Sequence, residues 1–163
     1  MRPGRRLAID VGKARIGVAV CDYHGILASA VATVQREADL LDTAVLIIET
    51  ISRNDIDIEA VLEIYVGLPT NLQGADTEST RDALLVAGAL QKQLKPEVRM
   101  IDERLTTVSA TAALRSSGIN SKKGRGVIDQ VAATLILEQA LAFEKAQNQK
   151  PGTPLSDFES KND

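Results

Sequence analysis

Three short apolar runs, Arg6–Val11, Arg15–Asp22 and Leu27–Val34, follow one another with only Gly12–Ala14 and Tyr23–Ile26 between them. A parallel return needs a connection of about a dozen residues or more, so strands this close must turn antiparallel. The chain therefore opens as a three-stranded meander. From Asp39 to about Arg53 the period changes: Leu40, Leu41, Ala44, Ile47, Ile48 and Ile51 recur at helical spacing. Ala60–Gly67 reads as a fourth strand and Val98–Asp102 as a fifth. A helix from Asp76 to Leu94, N-capped by Asp76, lies between them. Thr106–Ser117 reads as a helix stopped by Gly118, Asn120–Gly126 as a polar loop, and Val127–Gln147 as the last helix.

Strands that alternate with helices are parallel. The expected fold class is therefore α/β, a mixed five-stranded sheet with helices on both faces. Strands one and four carry no polar alternation, so both should be buried on two faces, with strand one at the centre. At 163 residues the chain fits one domain, taken as 1–147. The remainder, Asn148–Asp163, holds Pro151, Gly152 and Pro154 with little apolar content and is expected to be disordered.

Composition removes several classes of function. No apolar run approaches the roughly 20 residues that span a bilayer, and the basic start lacks a signal peptide's apolar region. The single cysteine, Cys21, excludes an intrachain disulfide and suits a reducing cytoplasm, the expected location. It reads as a small buried residue. The single histidine, His24, stands beside Gly25 in a turn, which argues against a Ser-His-Asp triad or a histidine zinc site. The net charge of −3 disfavours a nucleic-acid partner until its distribution is followed. Arg2, Arg5, Arg6, Lys13 and Arg15 meet one acid, Asp10; Arg115, Lys122, Lys123 and Arg125 meet none; eight acids gather between Glu37 and Glu63. Phosphate contacts are local, so basic segments flanking a site outweigh the total.

Three acids stand where strand or helix formation does not need them. Asp10 ends the first strand, Glu103 follows the fifth, and Asp129 lies in the first turn of the last helix. Brought together they make an oxygen-rich pocket suited to Mg²⁺ or Mn²⁺ and to metal-assisted phosphodiester chemistry. Plainer readings exist. Asp10 also suits a hairpin cap, and an acid in a first helical turn gains about 0.3–1 kcal/mol from the macrodipole. Yet Asp129 aligns with Ala132, Ala133 and Ile136 on a packing face, where a carboxylate needs a partner. Gly12 and Gly17 around Lys13 match neither a P-loop nor a dinucleotide fingerprint. Gly67-Leu68-Pro69 turns the chain over the sheet's carboxyl edge, where open α/β sheets bind ligands.

Four ordered segments carry a family resemblance. Asp10-x-Gly-x-x-Arg-Ile-Gly-Val-Ala, the Gly67-Leu-Pro loop, Asp102-Glu-Arg-Leu-Thr-Thr and Ile128-Asp-Gln-x-Ala-Ala-x-x-Ile-Leu together resemble the YqgF/RuvX family of bacterial RNase H-like proteins. The resemblance runs from residue 6 to about 140. It implies an RNase H-like fold, dependence on a divalent metal, and hydrolysis of RNA in maturation of the 5′ end of 16S rRNA. By that similarity Asp10, Glu103 and Asp129 are the catalytic, metal-holding acids, with two Mg²⁺ or Mn²⁺ ions expected. Lys13, Arg15, Arg104, Lys122, Lys123 and Arg125 are the expected contacts to the nucleic-acid backbone, the last three as a closing lid. The expected partner is precursor rRNA, or branched DNA if the protein is a junction resolvase, with no membrane and a monomer or weak homodimer. A non-catalytic RNA-binding module is the third reading. The four aromatics, Tyr23, Tyr65, Phe143 and Phe158, give it little support as a base-stacking platform. An actin- or Hsp70-like ATPase needs two copies of this fold, and the chain has length for one.

Overall fold

The structure, a computed structural model, describes residues 1–70, 73–102 and 122–159, with backbone alone over 122–127 and at 159. The meander forms as expected: β1 (Leu7–Val11), β2 (Arg15–Cys21) and β3 (Ala28–Gln35) pair antiparallel in sequence. Next come α1 (Leu40–Arg53), a single 3₁₀ turn (Ile58–Ala60), β4 (Glu63–Leu68), α2 (Glu78–Gln91) and β5 (Glu97–Asp102). β4 lies parallel to β1 and β5 parallel to β4, so β1 sits inside the sheet between β2 and β4.

Caps explain where the helices begin. Asp39 accepts the N–H groups of Leu41 and Asp42 at the start of α1. At α2 the cap is Thr77 and not Asp76. Thr77 Oγ1 accepts the Thr80 N–H at 3.2 Å while Thr80 Oγ1 accepts the Thr77 N–H at 2.9 Å. Two orphan amide donors are thus satisfied reciprocally, which a single Asp76 carboxylate would not achieve. The Thr80 hydroxyl also donates to the Pro69 carbonyl, tying the loop after β4 to the helix.

Strand alternation splits the core into two layers. Leu7, Ile9, Ile16, Val18, Ile64, Val66, Val98 and Met100 meet Ile47, Ile51, Val86 and Leu90 of α1 and α2 on one face. Ala8, Ala19, Cys21, Tyr65 and Ile101 meet Ala133, Ile136, Leu137, Ala140 and Leu141 of α3 (Lys122–Gln147) on the other. Ala8, Ala19 and Cys21 on β1 and β2 are small, so the long helix lies close against these strands. Cys21 is buried in it, and burial pushes its thiol pKa up, as befits a packing residue.

Three expectations require correction. Residues 122–126, expected in a loop, are the first turns of α3. Gly124 and Gly126 weaken a helix by about 1 kcal/mol each relative to alanine, and the long packed helix that follows overrides them. Second, the sheet has six strands and not five. Third, the segment expected to be disordered docks from 148 to 159: β6 (Thr153–Pro154) pairs antiparallel with β5, and α4 (Leu155–Glu159) buries Leu155 in the larger core. Arg99 holds it there, its Nε 2.6 Å from the Pro151 carbonyl and its Nη2 2.9 Å from that of Gly152. The docked segment covers the edge that β5 would otherwise expose. The expected helix at 106–117 lies outside the described residues.

Candidate active site

Asp10 is the fourth residue of β1 and pairs directly with Gly17 of β2. Side chains two apart along a strand share a face, so Asp10 projects with Ala8 toward α3. It is 9% exposed. Directly opposite, Gly17 has no side chain, and α3 fills the space: a Cβ on Gly17 would stand 2.1 Å from the Asp129 carbonyl oxygen. The pairing of β1 with β2 and the approach of α3 thus bring Asp10 and Asp129 to one level of one face. The neighbouring strands end at this same edge, Leu68 beside Asp102. It is the carboxyl edge of the parallel strands.

Arg15, the first residue of β2, reaches over this site. Its Nε donates to Asp129 Oδ2 at 2.9 Å, with both side chains part-buried. Burial pushes the Asp129 carboxyl above the usual carboxylate range, and the hydrogen bond and charge of Arg15 pull against that rise. Gln130, the next helical residue, donates to Thr33 Oγ1 at 3.0 Å, and Gln139 donates to the Asp102 carbonyl at 3.0 Å. The helix is therefore fastened across the sheet, to β3 beside Asp129 and to β5 further along.

The turn after Asp10 is held by a residue the motifs do not mark. Arg36 donates to the Gly12 carbonyl at 3.2 Å and forms a two-pronged pair with Asp82 of α2 at 2.5 and 3.0 Å. The signal was a lone arginine immediately after the third strand, and its partner lies 46 residues on. Lys13 is exposed on that turn and borders an open groove of about 820 Å³, lined also by Arg36, Arg81, Glu37, Glu78 and Asp82.

The N-terminal arginines do not flank the carboxylates. Arg6 is fully buried at the opposite end of β1, where its Nη2 lies 2.8 Å from Glu144 Oε2. Arg2 bridges Glu144 at 2.5 Å and Glu63 at 2.6 Å, and Tyr65 donates to Glu63 Oε1 at 3.0 Å. Their charge is spent on internal pairing, which the charge count along the chain does not reveal.

Glu103 and Arg104 lie outside the described residues, as do the side chains of Lys122, Lys123 and Arg125. Among the described residues no group of three His, Cys, Asp or Glu side chains is placed to hold a metal ion. Among the described residues the site offers two carboxylates, Asp10 and Asp129, and neither a nitrogen nor a sulfur ligand, a donor set that fits a hard divalent cation such as Mg²⁺. Among the described residues no helix is long and apolar enough to cross a membrane.

An antiparallel meander continued by parallel strands, an acid near the end of the central strand and a second acid on the helix that covers it define an RNase H-like α/β protein. The solved structure of Thermus thermophilus RuvC with its Holliday junction substrate shares the fold. It gives a TM-score of 0.52 at 14% identity and covers 91% of this chain and 99% of that one. The chain belongs to the RuvX family, described as Holliday junction resolvase, whose pattern matches residues 4–143. A relative from Leifsonia xyli subsp. xyli named "Putative pre-16S rRNA nuclease" is 50% identical over 95% of this chain and 96% of its own length. One of the same name from Streptomyces coelicolor is 45% identical over 93% and 88%.

Proposed function

We propose that this protein is a metal-dependent nuclease that hydrolyses RNA phosphodiesters in precursor 16S rRNA. The observation that carries the chemistry is the placing of Asp129 against the strand position opposite Asp10. Two carboxylates on one part-buried face, with neither a nitrogen nor a sulfur ligand beside them among the described residues, suit a hard cation. Glu103, one residue beyond the end of β5, is the third acid of the proposed set. Asp10, Glu103 and Asp129 would hold Mg²⁺ or Mn²⁺, which when bound lowers the pKa of water and neutralises charge on a phosphoryl oxygen. Lys13, Arg15, Arg104, Lys122, Lys123 and Arg125 are the residues assigned to the phosphate backbone, which needs positive charge. The choice of RNA rests on the names of relatives matched over nearly the whole chain.

The family's description as a junction resolvase supports a second reading, cleavage of four-way DNA by the same site. Two symmetric cuts would then require a two-fold dimer. Purified protein is incubated with a precursor rRNA fragment and with a four-way DNA junction, each with and without Mg²⁺ or Mn²⁺. Metal-dependent cutting of the rRNA fragment alone supports the first reading, and paired nicks in the junction alone support the second.

A further inference from the structure

The Arg15–Asp129 pair joins two roles that pull in different directions. Asp129 Oδ2 accepts a charge-assisted hydrogen bond from Arg15 Nε at 2.9 Å. That bond uses an oxygen lone pair and sets a positive charge beside the place a cation on that oxygen would occupy. Arg15 is also the more open of the two, its side chain 24% exposed against 14% for Asp129, so part of that side chain faces solvent at the edge where a strand would pass. A guanidinium is always charged and cannot yield by losing its proton. It must move.

Building on the metal-dependent reading, we propose that Arg15 is an exchange residue: it neutralises Asp129 in the metal-free protein, releases that carboxylate to the incoming cation, and passes to a phosphate of the bound strand. Asp129 is then never left as a half-buried charge without a counterion, and the positive charge reaches the substrate only once the cation is in place. An arginine that merely orients Asp129 would help the cation bind. An exchanging arginine opposes it. The two roles predict opposite signs for one measurement, cation affinity without substrate.

Mn²⁺ is titrated calorimetrically into metal-free wild type, Arg15→Gln, Arg15→Lys and Asp10→Asn, with no nucleic acid present. RNA binding by the same proteins is followed by fluorescence anisotropy in Ca²⁺. Arg15→Gln should bind Mn²⁺ about fivefold tighter, the scale of a part-exposed ion pair, and bind RNA about tenfold more weakly. Arg15→Lys keeps the charge and should bind Mn²⁺ within about twofold of wild type. Unchanged or weaker Mn²⁺ binding by Arg15→Gln overturns the exchange and leaves the metal site standing. A wild type that takes up no Mn²⁺, or whose uptake is unaffected by Asp10→Asn, overturns the metal reading and the exchange with it. Circular dichroism melts of Arg15→Gln confirm that a folded variant is being compared.

Discussion

The Asp129 carbonyl occupies the space of the side chain that Gly17 lacks, 2.1 Å from where a Cβ would stand, with the Asp129 carbonyl carbon at 2.5 Å. Both neighbours are backbone atoms of a packed helix and cannot swing aside. Gly17→Ala must therefore push α3 off the sheet at the turn that bears Asp129. We expect a loss of about 1–3 kcal/mol, the usual cost of overpacking, and a fall in melting temperature of several degrees. Cleavage should suffer further, through kcat more than KM, because the displaced turn carries a proposed metal ligand. Melts and steady-state kinetics of the one variant check both. A variant with wild-type stability would mean that the helix yields freely.

At the far end of the same helix Glu144 gathers Arg2 and Arg6, and Arg6 is fully buried. Glu144→Gln leaves that guanidinium without its anion and should cost about 3–5 kcal/mol, as breaking a buried pair does. The effect has a pH signature. Burial alone would push the Glu144 carboxyl up, but the hydrogen bonds from Arg2 and the charges of Arg6 and Arg2 outweigh it, so the carboxyl titrates below the usual range. With the folded pKa depressed, the unfolded chain binds more protons in that window and stability falls with falling pH. The contribution is complete above the ordinary glutamate value of about 4.3 and is lost as pH drops through the lower folded one. Urea denaturation from pH 6 downward should show a shallower acid decline for Glu144→Gln than for wild type.

Removal of residues 148–163 strips β6 from β5, uncovers the pocket of Leu155, and takes from Arg99 the carbonyls of Pro151 and Gly152. We expect a loss of about 3 kcal/mol or more, from one buried leucine and two charge-assisted hydrogen bonds. Gly152→Ala should reproduce part of it. Gly152 has φ +74°, and a Cβ there would meet the Met100 carbonyl oxygen at 2.4 Å. Thermal melts of the truncated and substituted proteins test this, and unchanged midpoints would show that the segment contributes nothing to the fold.

The carboxylates test the metal reading directly. Glu103→Gln should lower metal-dependent cleavage at least about a hundredfold, roughly 2.7 kcal/mol of barrier, while RNA binding largely survives. Asp10→Asn removes one of the carboxylates proposed to hold the cation. Added Mg²⁺ should raise the wild-type midpoint and leave the mutant's nearly unmoved. An Asp10→Asn protein that is less stable in EDTA yet gains as much from Mg²⁺ would mean that Asp10 serves the hairpin alone.

What could be read along the chain was whatever depends on near neighbours. The short turns at Gly12–Ala14 and Tyr23–Ile26 forced the meander, and the spacing of Leu40 to Ile51 forced α1. The unbroken apolar runs of β1 and β4 put those strands inside the sheet. Periodicity carries this information because side-chain direction repeats every two residues in a strand and every 3.6 in a helix. Asp10 and Asp129 stood out for the same reason, each an acid on a face its own element wanted to bury. Tertiary structure decided which charges meet. Arg6 finds Glu144 across 138 residues and Arg15 finds Asp129 across 114. No local pattern distinguishes these arginines from Lys13, which stays exposed. The order of the 148–159 segment is not legible in the sequence because Leu155 and Phe158 are too few to form a periodic face. They are ordered because β5 offers an open edge, Arg99 a donor and the larger core a place for Leu155. Pairing energy between residues far apart in the chain appears only once the chain has folded, so it leaves no trace in sequence spacing.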